Sequence, residues 1–130
     1  MESIFTKIIN GSIPAYKVAE DDRFLAFLDI SPLQKGHTLV VPKQQIDYIF
    51  NLEDTLLADL HLFTKKVALA VEKATGAARI GVAVIGFEVP HAHIHLIPIN
   101  NLDDMNFANP KLKIAPDEME SLAQKIQNNL

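Results

Sequence analysis

Three of the five histidines in this chain fall within five residues: His91, His93 and His95, in the run His91-Ala92-His93-Ile94-His95-Leu96-Ile97-Pro98. Side chains on a β-strand alternate faces with period two, which predicts the three imidazoles on one face and Ala92, Ile94 and Leu96 on a buried one. At roughly 3.3 Å per residue the outer two imidazoles lie on the order of 13 Å apart. One zinc ion, with nitrogen ligands at about 2.1 Å, cannot take all three from an extended strand. Two of them with a third ligand from elsewhere could still form a metal hydrolase, although no Asp, Glu or His stands at motif spacing to complete that shell. A row of imidazoles better suits a nucleophile flanked by donors for an extended anionic substrate such as a polyphosphate. The plain alternative is a strand whose polar face carries histidines without chemistry.

Around that run the sequence offers a supporting scaffold. Ile4, Phe5, Ile8 and Ile9 have helical spacing, and Asn10-Gly11 stops them. Tyr16 to Val18 and Phe24 to Leu28 read as strands about a turn at Glu20 to Arg23, and Gly36 leads into a third strand, His37 to Val41, closed by Pro42. Leu56, Leu60, Phe63, Val67, Val71 and Ala74 make one apolar stripe, so a long helix is expected from about Glu53 to Thr75, capped by Asn51 and ended by Gly76. Arg79 to Ile85 and His91 to Ile99 read as the fourth and fifth strands, residues 100 to 115 as irregular, and Pro116 opens a final helix with Met119, Leu122, Ala123 and Ile126 inward. The expected fold is a single α+β domain over residues 1–130: a five-stranded, mostly antiparallel sheet with a long central helix and short terminal helices.

Composition excludes several classes. Twelve basic against sixteen acidic residues give a net charge of −4, which argues against a nucleic-acid partner. No apolar run reaches a membrane-spanning length, and the first residues are too mixed for a secretory signal, so no membrane association and a cytoplasmic location are expected. The absence of cysteine removes disulfides and thiolate metal sites.

The combination of blocks resembles the histidine triad (HIT) family of nucleotide hydrolases and transferases. His91-Ala92-His93-Ile94-His95-Leu96-Ile97 matches its His-x-His-x-His signature. Ile8-Ile9-Asn10-Gly11-Ser12-Ile13-Pro14, the stretch from Glu20 to Pro32, and Gly36-His37-Thr38-Leu39-Val40-Val41-Pro42-Lys43 are similar to the family's other blocks, in the same order. The resemblance implies that His93 attacks the α-phosphate of a nucleoside phosphoramidate or phosphoanhydride and forms a covalent nucleotidyl-histidine that water resolves. A neutral imidazole, with its unperturbed pKa of about 6.5, is a competent nucleophile near neutrality. It further implies that the His91 backbone carbonyl fixes the His93 tautomer, that His95 donates to phosphate oxygens or to the departing group, and that His37 supports the row from behind. Asp29 matches the family's ribose-binding acid, although it could simply cap the turn at Ser31-Pro32. Phe27, Leu28 and Ile30 are expected to form the slot for the base. No cofactor or catalytic metal is implied, and members usually pair as homodimers.

Two departures stand out. Many bacterial members carry Cys-x-x-Cys near the start and a histidine after Pro-Lys, which help build a structural zinc site; here those positions are Ser3, Thr6 and Gln45, so no zinc is expected. The family's Gly-Gln-Ser/Thr-Val segment, which bonds phosphate, is replaced by Gly86-Phe87-Glu88-Val89. A carboxylate beside a phosphate is unfavourable unless protonated, paired or turned away. Glu88 is therefore assigned to the substrate site with two openings: a proton or hydrogen bond for an amine-bearing leaving group, or a catalytically weak nucleotide-binding protein on the same scaffold.

Overall fold

Two amphipathic helices pack on one face of the sheet, and a short amino-terminal helix shares the opposite face with the histidines. The computed structural model describes residues 1–130. Helix α1 (Ile4–Ile9) is followed by strands β1 (Lys17–Glu20), β2 (Phe24–Leu28) and β3 (Thr38–Pro42), helix α2 (Asp54–Thr75), strands β4 (Arg79–Ala83) and β5 (Ile94–Ile99), and helix α3 (Pro116–Gln127). The sheet order is β1-β2-β3-β5-β4, and every neighbouring pair is antiparallel. Strands β3 and β4 consequently run parallel to each other with β5 between them, and α2 is the crossover that such a step requires.

Alternation splits the sheet into two cores. Ala26, Leu28, Val40, Ile94 and Leu96 face α2 and α3, where Leu60, Val67, Val71, Met119 and Ile126 meet them. Leu25, Phe27, Leu39 and Val41 face the other way, onto Phe5 and Ile8 of α1. The expected helix over Glu53 to Thr75 forms with its stop at Gly76, whose φ of 70° is the left-handed conformation that glycine adopts without strain. Its start differs. Asn51 closes a separate 3-10 turn over Ile49–Asn51, and Glu53 occupies the cap position.

The most consequential difference lies in the fifth strand. It begins at Ile94, not at His91. His91 N–H bonds the Val89 carbonyl at 2.8 Å and Ala92 N–H bonds Ile46 O at 2.7 Å. This local turn and the strap after β3 replace ladder pairing, and only His95 stands on a strand. The fourth strand likewise stops at Ala83 and leaves Val84 and Ile85 in the connection. Residues 100 to 115 contain one short 3-10 turn, Leu102–Met105, closed by a reciprocal cap between Asn101 and Asp104. Asp104 is thereby a structural carboxylate and not a free surface charge. No helix is long and apolar enough to cross a membrane.

Candidate functional site

Hydrogen bonds to backbone groups assign the protons on all four histidines of the cluster. A backbone carbonyl can only accept and a backbone N–H can only donate. His93 Nδ1 lies 2.7 Å from the His91 carbonyl oxygen, so Nδ1 carries the proton, and neutral His93 presents a bare Nε2 lone pair. His91 Nε2 lies 2.8 Å from Pro42 O and donates to it, which leaves His91 Nδ1 to accept from the Ser3 hydroxyl at 2.7 Å. His37 Nδ1 accepts the Leu33 N–H at 3.0 Å. Its proton therefore sits on Nε2, which donates to His95 Nδ1 at 2.9 Å. His95 must then carry its own proton on Nε2. One ring offers a lone pair and its neighbour offers a donor, with centroids 4.9 Å apart.

Burial disfavours the charged form of His37, His91 and His95. Desolvation, with the neighbouring His95 and Lys111 charges adding to it, pushes the His37 pKa down to about 3. Desolvation, and next His93, pushes His95 down to about 4. His91 is lowered chiefly by burial, against the bond to Pro42. Asp29 moves the other way: burial raises its carboxyl above the usual range, the Ser31 N–H opposes this, and Glu88 adds to it.

A cleft of about 290 Å³ opens on these groups, lined by Asp29, Ser31, His37, Gly86, Phe87, Glu88, His93, His95, Phe107 and Lys111 among others. Asp29 holds the turn at Ser31-Pro32 with one carboxylate oxygen and leaves the other at the cleft. Its Oδ1 accepts the Ser31 N–H at 2.9 Å, while Oδ2 lies 3.7 Å from His37 Nε2 and faces the cleft. Glu88 is at the cleft and exposed, as Phe87 is. A larger apolar recess of about 820 Å³ reaches His93 from the far side of residues 84–87, walled by Tyr48, Phe50, Leu57 and Ile85.

The base slot expected from Phe27, Leu28 and Ile30 does not assemble. Leu28 is 2% exposed in the core beneath α2, Phe27 packs under Phe5, and Ile30 is 75% exposed in the turn after β2. Phe27 and Leu28 point to opposite faces as neighbouring strand residues must, and Ile30 lies beyond the strand, so no single cavity collects them. Phe107 and Lys111 were missed altogether. Phe107 stands edge-on to His95 with centroids 5.1 Å apart, and Lys111 Nζ donates to the Phe107 carbonyl at 2.8 Å. They come from the irregular stretch after β5, where no period or motif marks them.

Neither metal arrangement fits the donors. His91 cannot serve a cation, because both of its ring nitrogens are used. Asp29, His37 and His95 lie close enough to surround an ion. However, the Leu33 N–H on His37 Nδ1 forces the proton onto Nε2, the atom a cation would need, and ligation there would require an imidazolate. Ser3, Thr6 and Gln45 do converge with His91, but as two hydroxyls and an amide already bonded to one another, a poor set beside the nitrogen and sulfur ligands zinc prefers.

Comparison with known proteins agrees with the geometry. The HIT domain model matches residues 10–102. The chain belongs to the HIT family. A HIT-like protein of Borreliella burgdorferi is 36% identical over 99% of each chain. An adenosine 5′-monophosphoramidase of Schizosaccharomyces pombe is 37% identical over 100% of this chain and 99% of its own. The crystal structure of a Hit-like protein involved in cell-cycle regulation from Bartonella henselae superposes with a TM-score of 0.86 at 33% identity, covering 99% of this chain and 96% of that one. The HIT family comprises nucleotide-binding hydrolases and transferases, so the cleft of this HIT domain is read below as a nucleotide site.

Proposed function

We propose that this HIT protein is a nucleotidyl hydrolase or transferase acting on nucleoside 5′-phosphoramidates or phosphoanhydrides through a covalent nucleotidyl-histidine at His93. The observation that carries this reading is the complementary pair of tautomers: a bare Nε2 on His93 beside a protonated Nε2 on His95. His93 Nε2 attacks the α-phosphorus, the Nε2–P bond forms, and the bond from phosphorus to the leaving nitrogen or oxygen breaks. The adduct makes the His93 ring cationic, and the His91 carbonyl on Nδ1 stabilises that charge. His95 keeps its proton throughout, since giving it up while His37 donates to Nδ1 would leave an imidazolate. Its role is therefore hydrogen-bonding to a phosphoryl oxygen. The leaving group takes its proton from water or from Glu88. Water then attacks phosphorus, the Nε2–P bond breaks with its electron pair returning to neutral His93, the water's proton passes to solvent, and the nucleoside monophosphate is released. The name of the yeast relative supports a phosphoramidate as substrate.

The test is incubation with adenosine 5′-phosphoramidate labelled at phosphorus. Label on His93 in the denatured protein, with turnover lost in His93→Ala, supports the enzyme. Reversible nucleotide binding without label supports the binding-protein reading, which the exposed Phe87 and Glu88 at the cleft favour.

A homodimer belongs to the same proposal. Strand β4 is a sheet edge with Val82 exposed, and Leu62 and Leu69 of α2 are exposed as well, an apolar edge that a second copy would cover. Light scattering at micromolar concentration should give twice the monomer mass; a monomer mass sinks this part.

A further inference from the structure

We propose that Ser3 is a positioning residue for the nucleophile, acting through His91; this rests on the role of His93 proposed above. The His91 ring is fully buried, and its two nitrogens bond only to protein groups. Its useful atom toward chemistry is the backbone carbonyl that holds the His93 Nδ1 proton, so whatever fixes His91 fixes the nucleophile.

Ser3 does this with little freedom left. Its hydroxyl donates to His91 Nδ1 and in turn accepts the Thr6 N–H at 3.0 Å as the cap of α1. Its own N–H donates to Gln45 Oε1 at 2.8 Å, an oxygen that also accepts the Thr6 hydroxyl at 2.6 Å. Gln45 Nε2 donates to the Met1 carbonyl at 2.8 Å and closes the circuit. Two residues further on, Phe5 sets its ring edge against both His91 and His93, with centroids 5.7 and 5.0 Å apart. The amino-terminal turn, the loop after β3 and the histidine run are thus cross-linked by hydrogen bonds at the positions where the resemblance would place zinc ligands. Without the Ser3 donor, Nδ1 of a buried ring is left unsatisfied while Pro42 O still holds the Nε2 proton, so the ring loses one of the two bonds that fix its orientation and the carbonyl behind it.

Ser3→Gly is the informative variant, because glycine keeps most of the capping preference while deleting the hydroxyl. With adenosine 5′-phosphoramidate, kcat is expected to fall about tenfold with KM unchanged, as loss of a supporting hydrogen bond to a working ligand typically does. Imidazole nitrogen-15 NMR of the full chain should show the His91 Nδ1 and His93 Nδ1 signals both displaced, and Ser3→Thr should restore rate and signals together. Undisplaced imidazole signals in Ser3→Gly overturn the proposal, whatever the rate does, and so does displacement with unchanged kcat. Failure of the His93 reading shows separately, as absence of label on wild-type His93; the imidazole signals then decide the Ser3 proposal alone.

Discussion

His37 donates from Nε2 to His95 Nδ1 across 2.9 Å, and the proton it donates is placed there by a backbone amide on the far side of the ring, Leu33 N–H. A backbone group on the loop before β3 thus sets the proton on an atom of β5 that faces the cleft.

Removing that relay should cost rate and not affinity. His37→Phe frees His95 to adopt either tautomer, and kcat should drop on the order of a hundredfold, the scale of one lost hydrogen-bond donor to a developing oxyanion, with KM little changed. Steady-state kinetics with adenosine 5′-phosphoramidate would show this; unchanged kcat removes His37 from the mechanism.

Acid should unfold this protein by way of the same rings. In the unfolded chain His37 and His95 take up protons below about pH 6.5, whereas the folded groups resist until about 3 and about 4. Stability is therefore intact above the unfolded pKa and falls as pH drops from there toward 4, by about 1.4 kcal/mol for each unit of depression. Asp29 has the opposite sign: its raised carboxyl costs stability at neutral pH, and that cost is relieved as it protonates. One carboxyl opposes two histidines, so the net slope is acid-labile. Urea denaturation at pH 7.5 and pH 5 should show the loss, and His37→Phe should reduce it; a flat profile contradicts the assigned burial.

Asp29 predicts sugar selectivity. If its free Oδ2 accepts ribose hydroxyls, Asp29→Ala should lower kcat/KM for the ribonucleotide about tenfold to a hundredfold, the worth of a charged hydrogen bond. It should also erase the preference over the 2′-deoxy substrate. A preserved preference would leave Asp29 with only its turn.

Glu88 predicts leaving-group selectivity. Its place on the cleft beside Asp29 and Lys111 suits a cationic or amine-bearing leaving group. Glu88→Gln should lower kcat/KM about tenfold for aminoalkyl phosphoramidates and leave an uncharged leaving group untouched. Equal effects on both would discard the role.

Gly36 positions His37. Its φ is 94°, and a Cβ there would sit 2.6 Å from Thr75 Cγ2 and 3.1 Å from Pro98 Cγ. Gly36→Ala should destabilise the fold by on the order of 3 kcal/mol through strain and overpacking, visible as a lowered urea midpoint.

The sequence by itself determined the family, the element order, the antiparallel sheet and the two-sided alternation, because period-two and period-3.6 patterns are written in local residue order and the burial they demand has few solutions. The histidine spacing also marked the chemistry. The tertiary structure alone decided which proton sits on which nitrogen, since that depends on Leu33, Pro42 and Ser3 arriving from other segments. It took His91 and His93 off the strand through the His91 N–H bond to Val89 O and the Ala92 N–H bond to Ile46 O, and it put Phe27 and Leu28 on opposite faces with Ile30 in the turn beyond. It also brought Phe107 and Lys111 to the cleft from an irregular stretch. Contacts between distant segments follow from packing and leave no periodic trace along the chain.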